Sequence, residues 1–69
     1  MKPTVQNLRL TIESMRQEFK RAYYLEEGGC GVSWKFCEEG RGDLIRAETK
    51  AALLRDVQNY REGLRDAAQ

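Results

Sequence analysis

The apolar residues of this chain change their period once, and that change constrains the fold more than any other feature. Val5, Leu8, Ile12, Met15, Phe19 and Ala22 recur at intervals of three and four, the spacing of one face of an α-helix. From Val32 the interval is two. Val32, Trp34 and Phe36 fall on one side and Ser33, Lys35 and Cys37 on the other, as on a pleated strand. Gly28, Gly29 and Gly31 lie between the two regimes. Pro3 and Thr4 suit the opening of a helix, and no glycine or proline interrupts the run before Gly28. The spacing therefore predicts a helix over about 4–27, with Gly28 left-handed just past its end.

After the Trp34 strand, Glu38 to Gly42 supplies two glycines and three charged residues, a loop with the backbone freedom a hairpin needs. Leu44, Ile45 and Ala47 can return as its second strand, giving a hairpin over about 31–47. Leu44, Ala47, Ala51 and Leu54 also fit a helix capped by Asp43. The hairpin is preferred, because a lone strand would leave its backbone groups unpaired. A second amphipathic helix is predicted over about 49–67. Thr49 would cap it, and Leu53, Leu54, Val57, Tyr60, Leu64 and Ala67 would share one face. Gly63 weakens it by about 1 kcal/mol relative to alanine, or marks a close approach to another backbone.

The expected fold is α+β and mostly α: one small domain, 1–69, in which two amphipathic helices flank a short hairpin in the order α-β-β-α. A chain of 69 residues buries only about 60% of the surface it exposes when unfolded. Pairing of two copies is therefore expected, through Leu8, Ile12, Met15 and Phe19 of the first helix and Val57, Tyr60 and Leu64 of the second.

No apolar run exceeds four residues, far short of the roughly 20 that span a bilayer. Gln6, Asn7, Arg9 and Glu13 interrupt the apolar block a secretory signal would need, so a cytoplasmic location is expected. Twelve Lys plus Arg against eleven Asp plus Glu leave a net charge of +1, which exerts little long-range pull on a polyanion.

Histidine, the commonest proton-transfer group near neutral pH, is absent, and Ser14 and Ser33 have no evident base. The eight glutamates read as solvated helix surface, so no enzymatic activity, cofactor or metal is expected. Gly28-Gly29-Cys30-Gly31 precedes a strand, whereas a phosphate-cradling loop precedes a helix and carries Gly-Lys-Ser/Thr. Cys30 and Cys37 would lie roughly 23 Å apart in one extended strand, too far for a disulfide. They read as free thiols. Arg41-Gly42-Asp43 matches the integrin-binding tripeptide by chance alone, since nothing else in the chain points outside the cell.

Eight arginines outnumber four lysines, and arginine favours interfaces. Arg61 and Arg65, like Arg16 and Lys20, share a helix face at i and i+4 and could contact an anion. Phe19, Trp34 or Phe36, and Tyr60 are expected to meet in the core. Tyr23 and Tyr24 are adjacent, so a helix buries only one of them well and leaves the other for a partner. The expected partner-binding set is Tyr23, Tyr24, Trp34, Arg41 and Arg46. These features point to a small non-enzymatic interaction module, an inhibitor or adaptor that occludes a larger protein or ribonucleoprotein. In size, charge balance and lack of chemistry the chain resembles, in type, the small accessory proteins that phages encode to block host enzymes or defence complexes, anti-CRISPR proteins among them. The alternative is a dimeric nucleic-acid-binding regulator that sets Arg16, Lys20, Arg61 and Arg65 on phosphates.

Overall fold

A computed structural model describes residues 5–28 and 33–67. The order is α1 (Val5–Phe19), β1 (Tyr23–Glu27), β2 (Trp34–Glu38), β3 (Gly42–Ala47) and α2 (Lys50–Ala67). The α+β class holds, with a third strand added to the expected hairpin. The strands form one antiparallel sheet in the order β1-β2-β3. Both helices pack on one face of it, α1 over β1 and α2 over β2 and β3, and they also touch each other. Two layers suffice, and the molecule is only 16 Å deep along its shortest axis.

The first helix stops at Phe19, and the segment read as its continuation, up to residue 27, is a strand. Lys20 ends the helix by adopting a φ of 56°, a left-handed conformation that costs a non-glycine residue roughly 1–2 kcal/mol. The gain lies in Tyr23 and Tyr24. A strand sends adjacent side chains to opposite faces, so Tyr23 enters the core at 1% exposure while Tyr24 stays 42% exposed. β1 also gives β2 a partner along its second edge. Gly28 is not the left-handed residue, since among the described residues positive φ is confined to Lys20, Gly40 and Gly42. It instead donates its N–H to the Ser33 carbonyl at 2.7 Å, and a Cβ there would overlap Ser33 Oγ. Pro3 and Thr4 as the helix opening, Gly29 and Gly31 as its break, Cys30 as a thiol and Val32 as a strand residue lie outside the described residues.

The segment from Asp43 is a strand and not a capped helix. Gly40 and Gly42 take φ values of 87° and 81° around the β2–β3 turn, which the Arg41 N–H closes on the Glu38 carbonyl at 2.9 Å. Phe36 opposes Ile45 but Cys37 opposes Asp43, so Leu44 is an extra residue, a bulge. Leu44 and Ile45 both pack against the core as a result. Thr49 caps α2 as expected: the Ala52 N–H donates to its Oγ1 at 3.1 Å and the Leu53 N–H to its carbonyl at 3.0 Å.

Leu8, Ile12 and Met15 of α1, Tyr23 and Phe36 of the sheet, and Leu53 and Val57 of α2 form the core. Tyr23, Phe36 and Tyr60 make an aromatic cluster, with ring centroids 5.0 to 6.3 Å apart. Phe36 thus holds the core position, while Trp34 and Phe19 pack at its margin. The stripe expected to pair two copies is consumed within one chain. Leu8, Ile12, Met15 and Val57 are at most 4% exposed, and Phe19, Tyr60 and Leu64 lie partly buried against them. A three-stranded sheet is wide enough to cover both helices, which a two-stranded hairpin would not be. No helix among the described residues is long and apolar enough to cross a membrane.

Candidate functional site

With both helices on one side, no element among the described residues covers the other face of the sheet. Strand alternation decides what it presents. Tyr24 opposes Cys37, which opposes Asp43, and the neighbouring row is Glu26, Lys35 and Arg46. Tyr24, Glu26, Asp43 and Arg46 are exposed, Lys35 is half-buried, and Cys37 at the centre is fully buried. The alternation of Lys35 and Cys37 against Trp34 and Phe36 was readable in the sequence. The proximity of Asp43 to Cys37 was not, because it depends on the Leu44 bulge.

The Cys37 thiol donates to Asp43 Oδ1 at 3.3 Å and lies 3.9 Å from Glu26 Oε2. Asp43 Oδ2 also accepts from Arg46 Nε at 3.3 Å and Nη2 at 3.2 Å, and Lys35 Nζ stands 3.8 Å away. Burial, reinforced by Asp43, pushes the thiol pKa up to about 11, while the thiol hydrogen bond and then Arg46 and Lys35 hold the Asp43 carboxyl low. A thiol protonated at neutral pH is a poor nucleophile. Glu26, Cys37 and Asp43 place three donor atoms within 4.8 Å of one another. A cation there would have to displace the thiol proton. It would also compete with Lys35 and Arg46, which already pair with Asp43. The cluster is built as a neutral hydrogen-bonded network.

No family model, curated protein or solved structure matches the chain. The functional reading therefore comes from this geometry.

Of the five residues expected to bind a partner, Tyr24 and Arg46 share the open face. Arg41 sits in the β2–β3 turn, its Nε 3.5 Å from Glu38 Oε2, and Arg21 Nη1 reaches the same oxygen at 3.5 Å. Glu38 is only 6% exposed, so these two arginines neutralise a buried carboxylate at the sheet's end. Trp34 lies on the helix side, half-buried, with Lys50 Nζ 5.9 Å from its ring centroid. Tyr23 is withdrawn from any partner, because strand geometry turns it into the core.

The expected anion contacts also divide. Arg61 and Arg65 are already engaged by a carboxylate of their own chain. Glu18 Oε1 accepts from Arg61 Nη2 at 2.7 Å, Glu18 Oε2 accepts from Arg65 Nε at 2.6 Å, and Arg61 Nη2 also donates to Ser14 Oγ at 3.1 Å. The Arg65 and then Arg61 hydrogen bonds hold the Glu18 carboxyl down at about 2. Arg16 and Lys20 instead line a depression at the end of α1 together with Arg21. Sequence reasoning missed Arg21 because it lies just beyond the helical face that carries Arg16 and Lys20.

Proposed function

We propose that the protein is a non-enzymatic interaction module of the cytoplasm, an inhibitor or adaptor that binds a larger protein or ribonucleoprotein with the open face of its sheet. The observation that carries this reading is Tyr24, 42% exposed on a face that neither helix covers. A tyrosine of this kind offers a large, rigid contact area at small entropic cost, and arginine and tyrosine dominate binding energies at interfaces. Arg46 stands on the same face. The surrounding charge favours a protein partner over a polyanion: Glu26 and Asp43 offset Lys35 and Arg46, so the patch is locally neutral. With its apolar stripe covered internally, one chain is competent to act without a second copy.

Affinity capture from a lysate of the source cell, followed by titration of the recovered partner, tests the reading. A stoichiometric protein complex weakened at least tenfold by Tyr24→Ala and by Arg46→Ala is expected. Recovery of the same proteins, with unchanged affinity, by the wild type and both variants would exclude this face as the interface.

A further inference from the structure

We propose that the end of α1 is a second site, one that takes a phosphate group through Arg16, Lys20 and Arg21. Three of the six residues lining the depression there are cations: Arg16, Lys20 and Arg21 against a single acid, Glu13, with Gln17 and Ala22 completing the wall. Arg16 and Lys20 have no carboxylate partner among the described residues. Among the described residues the one ion pair of Arg21 uses Nη1, on Glu38, and its other donors face no carboxylate there. Arg61 and Arg65, by contrast, close on Glu18, so this chain does supply acids where its basic pairs serve the fold alone.

The backbone supplies an independent observation. Lys20 holds a φ of 56° at the position past the helix end, where glycine is the favoured residue. Strained backbone of this kind clusters at ligand clamps and switch regions, and glycine at this position would relieve it. The helix dipole accounts for one cation in the last turn, which Arg16 provides, but not for a lysine at a strained position or for Arg21 beyond it. Two guanidinium forks and an ammonium lining one depression match the oxygens of a phosphate better than a lone carboxylate, since each arginine can grip two oxygens at once.

NMR titration of the full chain with inorganic phosphate, and separately with a short single-stranded oligonucleotide, tests the assignment. Phosphate is expected to shift the resonances of residues 16 and 20–22. Arg16→Gln and Lys20→Gly should each weaken binding at least threefold, and Arg55→Gln on α2 should leave it unchanged. Lys20→Gly should at the same time raise the thermal midpoint by a few degrees, which separates lost binding from lost folding. An oligonucleotide that binds at least tenfold more tightly than phosphate, with affinity falling steeply with salt, identifies the source as a nucleic-acid backbone. Affinity no better than that of free phosphate identifies a small phosphate ligand. Unchanged affinity in both α1 variants, or shifts scattered over all basic side chains, overturns the site. None of these variants alters Tyr24 or Arg46, so the outcome is independent of the protein-binding face.

Discussion

Glu18 and Arg65 are 47 positions apart in sequence and 2.6 Å apart in space. With Arg61 on the other carboxylate oxygen, they clasp the C-terminal ends of α1 and α2, the first and last elements of the fold. The arginines hold the Glu18 pKa at about 2, below its ordinary 4.5. A lowered carboxylate pKa stabilises the fold fully above the ordinary value, and the contribution is lost as pH falls from 4.5 toward 2. Acid unfolding followed by circular dichroism should therefore show a destabilisation in that window. Glu18→Gln should flatten the pH dependence there while lowering stability at pH 7.

Gly63 lies inside α2 with nothing within 4 Å of the position a Cβ would take, and its φ is not left-handed. Among the described residues no other backbone makes the close approach for which a glycine would be needed here. Gly63→Ala should stabilise the protein by about 0.5–1 kcal/mol through helix propensity and reduced unfolded-state entropy. Urea unfolding with an unchanged slope and a higher midpoint is the expected result.

Two leucines on the helices should respond in opposite ways to truncation. Leu53 is fully buried and Leu10 is 58% exposed. Leu53→Ala should cost about 2–5 kcal/mol, much of what a domain this small possesses. Leu10→Ala should fall within about 0.5 kcal/mol of the wild type. Chemical denaturation of the two variants side by side measures the difference.

The Cys37 thiol should resist modification in the native state and react once the chain unfolds. In a Cys30→Ser background, where Cys37 is the remaining cysteine, thiolate absorbance should titrate near 11. Asp43→Asn removes a negative charge that opposes ionisation, so it should lower that pKa and speed reaction with a disulfide reagent at alkaline pH. Because the folded-state value lies above the ordinary 9.0, the contribution of the neutral thiol to stability is present below pH 9 and lost as pH rises toward 11.

Much of the fold could be read from local signals. Thr49 announced α2, Gly40 and Gly42 announced the hairpin turn, and alternation from Ser33 to Cys37 assigned the faces of β2. Periodicity alone carries the first helix past its end at Phe19, because Ala22 continues the stripe of Leu8, Ile12, Met15 and Phe19 and no glycine or proline marks the stop. The boundary lies at a lysine in a conformation its side chain disfavours, and tertiary pairing of β1 with β2 overrides the local preference. The same displacement explains the site. Reading Tyr23 and Tyr24 on a helix hides which one is buried, whereas a strand decides it at once. Arg61 and Arg65 read as an anion contact because the carboxylate that engages them, Glu18, lies 43 and 47 positions away in sequence.

The strand order β1-β2-β3 has a kinetic meaning. Every strand pairs with its neighbour in sequence, so the sheet can zip up through short loops at little entropic cost, while docking α1 on α2 closes a span of more than forty residues. The clasp at Glu18 is accordingly expected to form after the folding barrier is crossed. Loosening it would then shorten the lifetime of the native state and leave the speed of reaching that state nearly untouched.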